Sequence, residues 1–145
     1  MTYHGPGQLV GYPILRLDRH GRDVRGYIRS LEEVLIRVLE HLGVSGRRRE
    51  GTPGVWVGDH KIAAVGVAIR RWISYHGFAL NVSPNMKHFD LIVPCGLRDS
   101  GPTSLAQIIS PPVGLADVKP LVIREMLEVF GFAASRQVSP EDPMD

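Results

Sequence analysis

Among the 145 residues there is one cysteine, Cys95, set between Pro94 and Gly96 at the end of an apolar run. A sulfur in such a turn can face a cleft beside free backbone amides, which suits a nucleophile with an oxyanion site. Free cysteine is also commonly a small buried hydrophobe, so position rather than residue type carries this reading. An unperturbed thiol is only slightly ionised at neutral pH, and a nucleophilic cysteine therefore needs a basic or cationic neighbour. Six histidines, at positions 4, 20, 41, 60, 76 and 88, compete for that role with Lys61. Lys61 opens the apolar run Ile62-Ala63-Ala64-Val65-Gly66, whose surroundings could desolvate its amine. Against this, a lysine at a hairpin end is ordinarily solvated, and Gly5, Gly7 and Gly66 are ordinarily turn residues. The residues alone leave the partner of Cys95 open.

Other chemistries lack their residues. No two histidines stand four apart as on a zinc-binding helix, and one cysteine makes no thiolate cluster, so no metal is expected. Neither a Walker-type loop nor a G-x-G-x-x-G follows a strand, and there is no G-x-S-x-G elbow. The run Arg47-Arg48-Arg49 and a pI near 8.9 invite a nucleic-acid reading. However, 17 basic residues face 15 acidic ones, the formal charge is +2, and no recognition signature accompanies the run; nucleic acid is not expected as a partner. The modest positive balance would suit an acidic protein partner. A lone cysteine cannot form an internal disulfide, which excludes a disulfide-framework secreted protein and makes the cytoplasm the expected compartment. No segment nears the ~20 apolar residues that span a bilayer, and no signal peptide is visible, so no membrane association is expected.

The glycine- and proline-dense opening to Gln8 reads as a tight loop, and residues 9–17 as a strand. Pro13 lacks a donor and confines that strand to an edge or a bulge. From Val24 to Leu42 apolar residues recur at helical spacing, with Asp23 as N-cap and Gly43 as stop. The other face, with Arg25, Arg29, Glu32, Glu33, Arg37 and Glu40, reads as solvated. Residues 55–57, 61–70 and 73–82 read as strands joined around Gly58-Asp59-His60 and Arg71-Trp72, and residues 90–93 as a further short strand before the Cys95 turn. A second amphipathic helix is expected over about 117–130, with Pro120 in its first turn and Gly131 as its stop. With 43% hydrophobic residues, the pattern predicts an α+β fold: one domain over residues 1–134 with a mixed, mainly antiparallel sheet flanked by helices, and a flexible tail over 135–145.

Four blocks in order, TYHGPGQLVGYP, GTPGVWVGDHKIAAVGVAIRRWISYHGFALNV, FDLIVPCG and the spaced TSLAQI, resemble the LipB-type octanoyltransferase family, similar in fold to biotin and lipoate protein ligases. The resemblance implies transfer of an octanoyl group from acyl carrier protein to a lysine of lipoyl domains in lipoate biosynthesis. The acceptors would be the lipoyl domains of 2-oxoacid dehydrogenase complexes and the glycine cleavage H protein. The donor acyl chain would ride on the phosphopantetheine of acyl carrier protein, with no further cofactor.

The family's catalytic cysteine corresponds to Cys95 and its catalytic lysine to Lys61. Its acyl-binding positions fall on Thr2, Tyr3 and His4, on Ala64, Val65 and Gly66, and on Gly77, Phe78 and Ala79. Small residues Ala63, Ala64, Gly66 and Gly77 would leave room for an eight-carbon chain beside Lys61, each buried methylene contributing about 0.8 kcal/mol. The family's R-G-G stretch before the T-Y-H-G loop is missing, so the fold is expected to be incomplete at the N-terminus. An ATP-dependent lipoate or biotin protein ligase and a non-catalytic acyl-binding remnant are the alternatives.

Overall fold

The structure, a computed structural model, describes residues 4–91, 101–136 and 138. Five strands, β1 (Gln8–Gly11), β2 (Arg47–Arg49), β3 (Thr52–Val57), β4 (His60–Arg70) and β5 (Ile73–Asn81), form one sheet in the order β1-β5-β4-β3-β2. The four pairings among these five strands are antiparallel. Helix α1 (Val24–His41), the short α2 (Leu105–Ile108) and α3 (Leu115–Phe130) complete the α+β architecture expected from the pattern.

Helix α1 runs as its periodicity predicts. Asp23 accepts a hydrogen bond from the Gly26 amide, and Gly43 takes φ of +75° just past the end. Its buried stripe of Leu31, Val34, Leu35, Val38 and Leu39 packs on Val55, Ile62, Ala63, Val65, Phe78 and Leu80 of the sheet. Each fully buried aliphatic side chain there contributes roughly 1.5–3 kcal/mol. Helix α3 lies beside α1, adding Val118 and Val122 to this core. The β4–β5 turn holds both Arg71 and Trp72 at positive φ, 51° and 63°, the conformation whose twist matches a two-residue hairpin.

Several expectations need correction. The first strand ends at Gly11 rather than reaching residue 17: Pro13 removes a ladder donor, and Leu17 instead opens a 3-10 turn with its side chain buried. Residues 86–91 form a 3-10 helix, so the strand expected over 90–93 is absent at Asp90 and Leu91, and residues 92 and 93 lie outside the described residues. Asn85 decides this locally, since its side chain accepts from the Lys87 amide and its carbonyl from the His88 amide, turning the chain before it can extend. Helix α3 starts two residues earlier than expected, with the Asp117 carboxylate reaching back to the Gly114 amide at 2.8 Å. Pro120 is consequently the sixth helical residue, past the first turn, where its ring leaves the Ala116 carbonyl without its usual donor.

The run Arg47-Arg48-Arg49 is strand β2, and its guanidinium groups bind the protein itself: Arg47 the Gly58 carbonyl and Asp59, Arg48 Glu32 and Glu33, Arg49 Asp59. Glu32, expected on a solvated face, is buried at 5% exposure because β2 brings Arg48 over it. Of the tail over 135–145, residues 137 and 139–145 lie outside the described residues.

Candidate functional site

The site is organised by a bulge in β4. Ala63 is paired with Val55 and Lys61 with Trp56, so Ile62 is an extra residue on β4. Without it Lys61 and Ala63, two apart, would share a face. With it, Ile62 and Ala63 both pack into the core under α1, and Lys61 projects from the opposite face together with its partner Trp56. Ala63 therefore lines the core and not the space beside Lys61, a correction to its expected place.

On that opposite face Lys61 lies across Gly54. A Cβ on Gly54 would stand 2.7 Å from Lys61 Cε and 2.7 Å from the Ala63 carbonyl oxygen, and Gly54 has φ of +148°. Only glycine leaves room for the lysine stem there. The Gly54 amide donates to Glu32 Oε1 at 3.0 Å, and Arg48 Nε donates to Glu32 Oε2 at 3.1 Å. A buried, charge-balanced carboxylate on α1 thus holds the strand segment on which Lys61 rests.

Lys61 is half-buried, and burial pushes its amine below the ordinary lysine range by penalising the ammonium. Its Nζ stands 5.3 Å from the centre of the buried Trp56 ring, and Arg49 lies 5.1 Å from the same ring. The indole face favours the cation and so opposes the desolvation that lowers the proton affinity of the amine. Among the described residues no carboxylate forms an ion pair with Lys61. An unpaired, partly desolvated amine is the arrangement that releases its proton most readily.

The expected acyl-binding positions on the two central strands come together as three successive cross-strand pairs: Ala64 with Ala79, Val65 with Phe78, and Gly66 with Gly77. The middle pair differs from the others. Val65 and Phe78 turn their side chains into the helix-covered core, leaving only backbone to the Lys61 face. Ala64 and Ala79 share the face of Lys61, next to Gly54, and among the described residues no atom lies within 4 Å of where a Cβ on Gly66 would be. Gly77 has a packing reason of its own, because a Cβ there would strike the Gly11 carbonyl and the Pro13 ring.

His4 is exposed, at the start of a loop closed by Gly5 and Gln8. Thr2, Tyr3 and Cys95 lie outside the described residues. The chain re-enters at Gly101, next to Lys61. Its carbonyl accepts from His60 Nδ1 at 3.0 Å, Pro102 bridges Lys61 in parallel, and the Thr103 amide donates to the Lys61 carbonyl at 2.9 Å. Gly54, Trp56 and Glu32 surround Lys61 in the structure and are not among the candidates that the sequence offers. The G-T-P-G turn could have flagged Gly54, whereas nothing local marks Glu32.

Among the described residues no helix is long and apolar enough to cross a membrane, and no group of three or more His, Cys, Asp or Glu side chains could hold a metal ion.

Comparison with known proteins converges on one family. The lipoyl protein ligase A/B catalytic domain matches residues 1–127. The octanoyltransferase of Gloeobacter violaceus is 52% identical over 132 residues, covering 90% of this chain and 58% of that protein. That of Nostoc punctiforme is 51% identical over 131 residues, covering 90% and 56%. The chain spans little more than half the length of these curated relatives. Among solved structures, the bipartite lipoate protein ligase of Thermoplasma acidophilum superposes with a TM-score of 0.71 at 19% identity, covering 96% of this chain and 57% of that one. Biotin protein ligase from Aquifex aeolicus gives 0.70 at 15%, covering 86% and 53%. At such identities the two structures speak for the fold alone.

Proposed function

The chain belongs to the lipoyl protein ligase A/B catalytic domain family, and from that premise we propose that it transfers an octanoyl group from octanoyl-acyl carrier protein to a lipoyl-domain lysine through a thioester on Cys95. Two relatives of about half identity carry the name octanoyltransferase, which favours this chemistry over the other activities housed by the fold. The observation that carries the reading is Lys61, a half-buried amine of lowered proton affinity on the face that also presents Ala64 and Ala79.

In the proposed mechanism Lys61 takes the Cys95 proton, and the sulfur attacks the donor thioester carbonyl. The new carbon–sulfur bond forms as the bond to the pantetheine sulfur breaks, and that leaving thiolate takes the proton back from Lys61. The exchange is close to balanced, one thioester for another. A neutral lipoyl-domain lysine then attacks the octanoyl thioester, Lys61 accepts its excess proton and returns it to the Cys95 sulfur, and an amide is formed. Amide formation from a thioester is downhill, so the proposal needs neither nucleotide nor cofactor beyond the donor's phosphopantetheine. His4 with Thr2 and Tyr3, the Ala64-Val65-Gly66 run and the Gly77-Phe78-Ala79 run are the proposed acyl-binding positions. The proposed acceptors are lipoyl domains of 2-oxoacid dehydrogenase complexes and the glycine cleavage H protein, and the proposed compartment is the cytoplasm.

Intact mass spectrometry after incubation with octanoyl-acyl carrier protein tests this. The wild type gains one octanoyl group and Cys95→Ala gains none. An adduct retained by the alanine variant removes Cys95 from the mechanism, and ATP-dependent transfer surviving Cys95→Ser points to an adenylating ligase. Acyl binding without any adduct points to a non-catalytic remnant.

A further inference from the structure

Strand β5 stops at Asn81, and the position it vacates beside β4 is filled by residues 101–104, which return to pair with Lys61. Asn81 stands at this changeover with 6% exposure. Its Nδ2 donates to the Thr103 carbonyl at 3.0 Å, and its Oδ1 accepts from Gln8 Nε2 at 2.9 Å. Gln8 in turn accepts, through Oε1, from the Gly5 amide at 3.0 Å.

The polarity of this relay is set at both ends by backbone groups that have only one role. A carbonyl at Thr103 must be met by a donor, and an amide at Gly5 by an acceptor. The orientations of both side-chain amides follow, and each bond requires the next. The relay spans sequence separations of 73 and 22 residues and ends one residue from His4 on one side and one bond from Lys61 on the other.

We propose that Asn81 is a positioning residue that fixes the loop over residues 4–8 and the segment over residues 101–104 relative to Lys61, so that the acyl-binding loop and the proton-accepting amine are placed by one side chain. The proposal rests on the acyl-transfer reading for its consequence in turnover, but not for its geometry. Losing the Asn81 amide leaves the buried Thr103 carbonyl and the part-buried Gln8 Nε2 without these partners, and water then competes for both. The Thr103 segment loosens from Lys61, its surroundings become wetter, and its proton affinity returns toward that of an ordinary lysine.

Asn81→Asp gives the sharper test because it is isosteric. As a carboxylate it faces the Thr103 carbonyl oxygen and cannot donate; as a neutral acid it donates to Thr103 and still accepts from Gln8. The full chain and its Asn81→Asp and Asn81→Ala variants are compared by thermal melt, by nitrogen NMR titration of the Lys61 amine, and by octanoyl transfer to a lipoyl domain across pH.

The expected result is transfer lowered on the order of ten- to a hundredfold in Asn81→Ala, as for a small misplacement of reacting groups, with the Lys61 titration moved up. In Asn81→Asp the ratio of variant to wild-type transfer climbs as pH falls, while Gln8→Leu added to Asn81→Ala costs little more. A constant ratio across pH with an unmoved Lys61 titration overturns the proposal. If Asn81→Ala fails to fold, the Asp variant decides. If the wild type transfers nothing, the acyl-transfer reading fails and the Lys61 titrations alone decide the positioning role.

Discussion

Lys61 lies across Gly54, the two held so closely that any Cβ at position 54 would meet the lysine stem at 2.7 Å. The glycine in turn is pinned by Glu32 through its backbone amide. Strand, helix and the Lys61 side chain are thus linked by one contact and one hydrogen bond.

Gly54→Ala is expected to destabilise by about 1–3 kcal/mol, since the backbone conformation disfavours an L side chain and the Ala63 carbonyl cannot retreat. The lysine stem must also move, so acyl transfer falls by more than the loss of folded protein accounts for. Thermal melts alongside initial rates separate the two, and a rate loss no larger than the folded fraction would show that the seat has no catalytic consequence.

Lys61→Met keeps the stem volume and removes the charge. The folded-state proton affinity of Lys61 is depressed below the ordinary 10.5, so the unfolded chain binds more protons and stability rises with pH through that window. Below it the wild type bears the cost of a half-buried ammonium. Lys61→Met is therefore expected to be the more stable protein at neutral pH, with the advantage shrinking as pH approaches the ordinary lysine value, and to lose acylation throughout. Denaturant melts at a series of pH values check the sign.

Glu32→Ala strips the buried partner from both the Gly54 amide and Arg48. Breaking a buried charge pair by deleting one member costs about 3–5 kcal/mol, and somewhat less is expected here because Arg48 keeps Glu33 at 2.8 Å. Urea unfolding measures the loss. An effect below 1 kcal/mol would mean that the carboxylate is dispensable to the β2–β3 turn.

Gly66 and Gly77 face each other across β4 and β5, yet alanine should act differently at each. At Gly66 no atom of the described residues lies within 4 Å of the new methyl, so stability changes by less than about 0.5 kcal/mol while the longest accepted acyl chain shortens. At Gly77 the methyl would strike the Gly11 backbone and force β1 from the sheet, lowering the melting temperature by several degrees. Acyl chain-length profiles and melts on both variants make the comparison.

Much of this molecule is legible in order along the chain. Helix α1, with its Asp23 cap and Gly43 stop, the β4–β5 hairpin and the Gly131 end of α3 all follow from spacing and turn chemistry, because each is decided by neighbours within a few residues. Lys61 and Cys95 stand out in the sequence only as candidates, and the family resemblance implies their roles. What the chain does not show locally is the face on which Lys61 projects. Simple alternation puts Lys61 with Ala63, and only the register between β3 and β4, which makes Ile62 an extra residue, turns it over to Trp56 and Ala64. The burial of Glu32 by a strand 16 residues on, and the takeover of the β5 position by residues 101–104, are equally invisible, since both depend on contacts between segments that meet only after the sheet has formed.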